Sequence, residues 1–390
     1  MKNKYKYIFV LISLLIIKMI FLTSCEKDKT EKADDEITIP LSTDGEYNET
    51  TEKCQRPATS NFIPIGNSII YRQQTEMLLL GANRQTGAVN SMCKDPLCNH
   101  SNESCFFTRN YQSITPFKNR IYCIEPGRGS NKILSFNEFG EDIIVHYTND
   151  GNAIGRIIIS DDYIFFNQID GEDLINIYRI NLKTKQTDCL TPGNKETLYY
   201  PLFLIGDNFY FYENDYFYIY KSDIDMKTKV LISEDPNIGL YSTDGNYIYY
   251  IKESSIKDNK NGFFQDLMRF DLNGENEILI QENATYYWLT DQHIYFSYLN
   301  NDPESKQTGK PEDRIKGKIY VMNKDGSDIK LIRDDPGLFI AYIYEVYDNY
   351  IYYWTVDIEN PNSYGTYSTY KSPFRSKIGD FTPPQELIYN

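Results

Sequence analysis

Four side chains suited to a soft metal ion fall within one short stretch of this chain. Cys93, Cys98, His100 and Cys105 are spaced C-x4-C-x-H-x4-C. Three thiolates and one imidazole complete a tetrahedral zinc shell with no open position, so the chemistry would be structural, without a role in turnover. Pro96 and the Asn and Ser residues around it favour a tight loop that could wrap an ion. The spacing is not that of the common zinc knuckle. The same residues support a second reading. Apart from Cys25 there are six cysteines, Cys54, Cys93, Cys98, Cys105, Cys123 and Cys189. An even number in an exported chain suggests disulfides, with many possible connectivities. Cys54 could then staple the preceding segment to the cluster, while Cys123, within an expected strand, reads as a buried free thiol.

Two other histidines offer little for catalysis. His293 follows a turn, where equivalent segments carry Tyr or Asn, and reads as a substitution within a repeat. His146 lies in an expected outer strand (IIVHY), alternating outward. No sialidase-type Asp box and no G-x-S-x-G elbow occurs. So few histidines leave few general bases near neutral pH.

The elements that must position the cluster come from a repeat. A turn residue followed by an apolar residue and aromatic neighbours recurs as NSIIYR (67–72), NRIYCI (119–124), DYIFFN (162–167), NFYFYE (208–213), NYIYYI (246–251), QHIYFS (292–297) and NYIYYW (349–354). The average spacing of about 47 residues is in the range of propeller blades. Tyr (35) and Phe (21) dominate the aromatics, which suits pleated, packed surfaces. Each unit reads as four strands, with Asp-Gly or Asn-Gly turns before the fourth. A four-stranded meander exposes two apolar faces and is stable only when stacked on neighbours. The expected fold is therefore all-β, a seven-bladed β-propeller of four-stranded antiparallel blades over 54–390; one degenerate unit would make the count six or eight.

The N-terminal region reads separately. Lys2, Lys4 and Lys6 precede an apolar run, Ile8 to Leu22, broken only by Ser13 and Lys18. The run falls short of the roughly 20 apolar residues of a spanning helix. Leu22-Thr23-Ser24-Cys25 follows and resembles the bacterial lipobox, in which the cysteine is acylated. Residues 1–24 are thus expected to be a lipoprotein signal peptide and Cys25 the lipidated mature N-terminus. Two or three acyl chains suffice for stable anchoring. Residues 25–53, with ten acids and four lysines after Cys25, form an expected disordered acidic tether. The leader carries four lysines and no acid, so the mature chain has 36 basic against 55 acidic residues, a net charge of −19. Such a surface repels nucleic acid and anionic lipid.

Two segments carry a family resemblance. IYVMNKDGSDIKLIRD (319–334) is similar to the repeat of TolB-type propellers, and NYIYYWTVD (349–357) resembles the YWTD blades of lipoprotein-receptor propellers. With lipobox and tether, the mature chain resembles a group of clostridial, Gram-positive lipoproteins carrying a receptor-propeller-like domain of unknown function. The resemblance implies a place on the outer face of the bacterial cytoplasmic membrane and a poorly oxidising envelope, but no activity.

A ligand would meet the longer links. Those between second and third strands lengthen in the last three blades, and with the Cys–His segment they are expected on one face and in one sector of the ring. Phe263, Phe264, Tyr364 and Tyr367 are the aromatic contact candidates there. The expected function is a non-catalytic, monomeric binding or sensing propeller for a glycan, peptide or envelope protein. A propeller enzyme acting on glycans, needing two carboxylates about 5–10 Å apart, and an envelope assembly scaffold are the alternatives.

Overall fold

Twenty-eight strands form seven four-stranded antiparallel sheets, each continuous in sequence. The computed structural model describes residues 62–72, 78–95, 97–98, 100, 105–109, 111–170, 174–191, 197–213, 218–234, 238–253, 265–298, 318–334, 340–356, 370–380 and 382–387. Residues 1–53, Cys54, Phe263, Phe264, Tyr364 and Tyr367 lie outside them.

Blade 1 holds β1 (Phe62–Ile65), β2 (Ser68–Arg72), β3 (Leu79–Asn83) and β4 (Val89–Ser91). Blade 2 holds β5 (Gln112–Phe117), β6 (Arg120–Glu125), β7 (Lys132–Asn137) and β8 (Ile144–Thr148). Blade 3 holds β9 (Ile154–Ile159), β10 (Tyr163–Ile169), β11 (Ile175–Asn181) and β12 (Thr187–Cys189). Blade 4 holds β13 (Tyr199–Ile205), β14 (Asn208–Glu213), β15 (Tyr218–Asp223) and β16 (Val230–Ser233). Blade 5 holds β17 (Ile238–Thr243), β18 (Tyr247–Glu253), β19 (Gln265–Asp271) and β20 (Ile278–Gln281). Blade 6 holds β21 (Ala284–Leu289), β22 (His293–Tyr298), β23 (Lys318–Asn323) and β24 (Lys330–Asp334). Blade 7 holds β25 (Ile340–Tyr347), β26 (Tyr350–Val356), β27 (Tyr370–Lys377) and β28 (Gln385–Glu386). The seven-bladed β-propeller expected from the repeat is the observed fold.

The aromatic phrase is the second strand of every blade, and strand alternation explains its composition. Successive side chains point to opposite faces, so Phe209 and Phe211 of β14 pack toward blade 3 with Phe165 and Ile177. Tyr210 and Tyr212 pack toward blade 5 with Tyr241, Ile248 and Tyr250. Tyr249 and Ile251 then turn to blade 6. Tyrosine serves where the ring is buried but its hydroxyl reaches a neighbouring carbonyl. Tyr210 donates to the Leu272 carbonyl (3.1 Å) and Tyr287 to the Tyr249 carbonyl (2.9 Å).

The turns are specified locally. In blades 1 to 5 the last residue of the third strand is Asn83, Asn137, Asn181, Asp223 or Asp271, and its side-chain oxygen accepts backbone N–H groups of the following turn. The turn glycines permit close stacking of blades. A Cβ on Gly274 (φ +81°) would fall 2.1 Å from the Ile232 carbonyl of blade 4.

A third-strand arginine then ties blade to blade. Arg179 of β11 lies over the Tyr163 ring (4.8 Å) and donates to the Ile224 carbonyl (3.1 Å) in the β15–β16 turn. Arg269 of β19 lies over Tyr247 (4.3 Å) and donates to the Lys324 carbonyl (3.0 Å) of blade 6. Arg375 of β27 lies over Tyr350 (4.4 Å) and donates to the Arg84 carbonyl (2.7 Å) of blade 1. The last contact closes the ring. Because all four strands of blade 7 are consecutive in sequence, no strand is exchanged across this seam among the described residues. Side chains close it instead: Tyr71 donates to the Leu387 carbonyl (3.0 Å), Arg84 pairs with Asp348 (2.5 Å), and Phe62 packs against Tyr352 and Trp354 at 5.7 and 5.9 Å between ring centroids.

Replacing Arg375 with Met keeps much of the volume and removes the donors to blade 1. The expected loss is about 2 kcal/mol of unfolding free energy, the scale of hydrogen bonds to a charged group. Urea unfolding followed by tyrosine and tryptophan emission measures it. Lys183→Met, which removes an exposed ion pair with Asp162, should leave the midpoint in place.

Candidate metal centre

The link from β4 to β5 carries the Cys–His segment. Its first part is a tight turn in which the Cys98 N–H donates to the Asp95 carbonyl (3.1 Å) and the Leu97 N–H to Asp95 Oδ1 (2.9 Å). The Cys93 N–H is held by Ser91 Oγ (3.1 Å). His100 has φ +52°, in the left-handed region that non-glycine residues rarely occupy. Cys105 then opens a 3₁₀ turn over Phe106–Thr108, closed by the Thr108 N–H and hydroxyl on the Cys105 carbonyl (3.2 and 3.0 Å).

These turns bring one donor atom from each of Cys93, Cys98, His100 and Cys105 within 4.8 Å of one another. Cys105 Sγ lies 3.7 Å from His100 Nδ1. Tetrahedral zinc with Zn–S bonds near 2.3 Å sets its donors roughly 3.8 Å apart, so small side-chain adjustments suffice to close on an ion. The local backbone also favours thiolate at Cys98. The His100 N–H points to Cys98 sulfur and lowers its pKa, with hydrogen bonds from Cys105 and Cys93 lowering it further against burial. Burial pushes Cys105 up to about 12 in the free thiol state, with the Phe107 N–H pulling the other way. The cluster can bind a metal ion.

The site does not simply stand at one face of the ring, as its place in the sequence suggests. It lies along the wedge between blades 1 and 2. At the loop-face end, Arg109 pairs with Glu125 of β6, and the Tyr111 carbonyl accepts from Arg72 of β2 (3.1 Å). At the opposite end, Lys94 pairs with Glu141 (3.1 Å) in the β7–β8 turn, and the Phe107 ring fills the space that a Cβ on Gly140 would need. Phe106, Phe107 and Tyr111 fill this wedge around Phe136. Leu97, at the tip of the knot, is 92% exposed.

Of the other expected site residues, Cys25 and the four aromatic candidates lie outside the described residues. Cys123 is a fully buried thiol whose pKa burial pushes up, as the strand reading expects. The five described cysteines are all free thiols. His293 opens β22 just after the turn, where its backbone N–H donates to Thr290 Oγ1 (3.1 Å) and its carbonyl accepts the Thr290 N–H (2.9 Å) and hydroxyl (2.9 Å).

His146 does not point outward. It stacks on Tyr122 at 5.3 Å between ring centroids, Nε2 lies 2.9 Å from Ser135 Oγ, and Nδ1 is buried without a hydrogen-bond partner. The reason is a β-bulge that recurs where fourth strands join third strands, in blades 2, 4, 5 and 6. The extra residue turns inward; it is Ile232, Ile280 or Ile332 elsewhere and His146 in blade 2. Aligning IVHY with VLIS, ILIQ and KLIR would have placed it in that buried column.

The junction of blades 2 and 3 holds a carboxamide network that the repeat does not announce. Asn149 Nδ2 donates to Gln168 (2.8 Å), Gln168 to Asp170 (2.6 Å), and Asn176 and Tyr178 also donate to Asp170 (2.8 and 2.6 Å). Burial raises the Asp170 pKa, but these hydrogen bonds outweigh it and the net shift is downward.

Burial, with Lys185 and Arg120 nearby, lowers the His146 pKa from 6.5 to about 4. The unfolded chain therefore binds the extra proton first, and stability falls as pH drops from 6.5 toward 4. His146→Ile, which installs the residue of the equivalent blades, should flatten that part of the profile. Thermal midpoints at pH 7, 5.5 and 4.5 for both chains give the comparison; equal slopes would refute the assignment.

No family model matches the sequence, and no curated protein matches it. Solved structures do. The β-propeller domain of the Trilobed protease from Pyrococcus furiosus, described as having an open velcro topology, is similar with TM-score 0.50 at 10% identity, covering 86% of this chain and 97% of that one. A prolyl endopeptidase gives TM-score 0.50 at 13% identity over 81% of this chain, which spans only 46% of that protein. TolB from Agrobacterium tumefaciens is similar with TM-score 0.41 at 13% identity over 59% of this chain and 80% of that one.

Proposed function

We propose that this chain is a lipid-anchored, extracytoplasmic binding or sensing propeller without catalytic activity, recognising a glycan, peptide or envelope protein through its loop-bearing face. One observation carries the reading: four buried charged side chains, Arg84, Asp244, Arg333 and Arg375, serve blade-to-blade cohesion. Arg375, Arg333 and Arg84 donate to neighbouring blades or turns. Asp244 takes Lys324 of the next blade (3.0 Å), and burial that would raise its pKa is outweighed by hydrogen bonds and that lysine, so it is lowered. Among the described residues, every carboxyl displaced from its ordinary range is displaced downward. Such groups are spent as acceptors and are poor proton donors near neutral pH. The rigid ring then presents the links at 254–264, 299–317 and 357–369, the usual division between scaffold and recognition loops. Cys25 and the acidic tether supply attachment and reach.

Within this reading the Cys–His centre holds one structural zinc. A bond between any two of the three thiols would leave the imidazole without a partner, whereas one ion engages all four side chains. The full mature chain should carry zinc near one equivalent in the presence of reductant, and Cys98→Ser should lose it; an unaltered zinc-free chain with oxidised cysteines would favour the disulfide reading.

The function itself is tested in two steps. In a lipoprotein-processing bacterium, wild-type chain should fractionate with membranes, and Cys25→Ala should not. The anchored chain is then offered purified cell-wall glycan, with retention and new reducing ends measured in the same tube. Retention without product supports a binding module, and steady product formation replaces this reading with the enzyme.

A further inference from the structure

Among the described residues, the seam between blades 7 and 1 lacks the exchanged strand that would close it through a backbone ladder. Every sheet is built from four consecutive strands. Blade 1 is therefore covalently joined to the ring on one side only, through the link of residues 92–111 to blade 2. That link is the one that carries the four metal-ligand side chains.

The apolar packing makes the same connection. A single core cluster joins Tyr352, Trp354 and Leu387 of blade 7, Phe62, Ile70, Tyr71 and Leu80 of blade 1, and Ile121, Cys123 and Phe136 of blade 2. Cys105 and Phe107 are buried members of that cluster, and Cys93 and Cys98 pack against it. Elsewhere the core clusters join two blades each, as between blades 4 and 5 or 5 and 6. Among the described residues, the Cys–His knot thus sits under a cluster that spans three blades, and that cluster contains the seam.

Resting on the zinc reading above, we infer that the metal centre is the clasp of the ring: the bound ion fixes the blade 1–blade 2 link and thereby holds blade 1 against blade 7 in place of strand exchange. With the ion bound, the link is a short cross-linked loop whose two ends grip both ends of blade 2, through Glu125 and Glu141. Without it, the segment from Cys93 to Cys105 regains chain freedom, and Phe107 and Tyr111 lose their fixed entry into the wedge. Blade 1 is then held by side-chain packing alone, against blade 7 at the seam and blade 2 on the other side. Chelators can reach the site, since Cys93, Cys98 and His100 are only partly buried.

The two tryptophans give the test, because one sits in the seam and the other does not. Trp354 is 2% exposed within the three-blade cluster; Trp288 lies in β21 of blade 6. The zinc-loaded full chain is prepared as Trp288→Phe and as Trp354→Phe, and acrylamide quenching is measured before and after chelation, with metal content followed in parallel. Loss of zinc should raise quenching of Trp354 severalfold and shift its emission to the red, while Trp288 stays unchanged. Cys98→Ser in the Trp288→Phe chain should show the quenched state without chelator. Zinc loss with Trp354 still protected overturns the clasp and leaves the zinc reading intact. Equal exposure of both tryptophans also overturns it, since the ion would then support the whole fold. A chain that never binds zinc removes both readings.

Discussion

Burial of the second strand between two neighbours is the constraint from which the rest follows. Its residues alternate between faces, and both faces are apolar, so a blade alone would leave two aromatic surfaces in water. Fully burying one such side chain is worth about 1.5–3 kcal/mol. Only a stack hides both faces, and only a closed stack hides the faces of the two end blades. The aromatic phrase therefore demands its own repetition, and repetition demands closure.

Closure sets the remaining devices. Aromatic stacking is tolerant of sliding, because a ring pair keeps most of its contact over an ångström of displacement. Position is set instead by directional groups. Third-strand arginines reach carbonyls in the next turn, tyrosine hydroxyls reach carbonyls across the wedge, and turn glycines admit a neighbouring backbone. Since Arg375 reaches blade 1 as Arg179 reaches blade 4 and Arg269 reaches blade 6, the seam repeats an internal joint. Most buried polar atoms find partners, and here the turn of each following blade presents a carbonyl to the arginine of the blade before it.

Much of this was legible before any coordinates. Tyr and Phe at alternating positions after Asn or Asp announce a paired, two-sided strand, and their spacing announces blades. The cluster at Cys93, Cys98, His100 and Cys105 was legible as a ligand set, since donor type and spacing are written in the chain. Its location was harder to read. Loop topology puts the link at one face, but Phe106, Phe107 and Tyr111 pack into the wedge around Phe136. The inward turn of His146 was hidden for a related reason. Strict alternation sends it to solvent, whereas a bulge reverses the parity, and bulges follow from pairing with a partner strand rather than from local composition.

The blade 2–blade 3 junction shows how far a repeat can drift while keeping its shape. Where blades 4 and 5 meet through Tyr212 and Tyr241, blades 2 and 3 use Asn149, Gln168, Asn176 and Asp170 at the loop-face end. Carboxamides carry both donors and acceptors, so a chain of them can satisfy itself without water, but each must be placed within a few tenths of an ångström. An aromatic joint yields to small shifts; an amide joint does not. The ring therefore has an unyielding joint beside blade 2 on one side and the metal-ligand knot on the other. Blade 2 is held from both flanks, and a bound ion would extend that rigid sector to blade 1, up to the seam where covalent continuity ends.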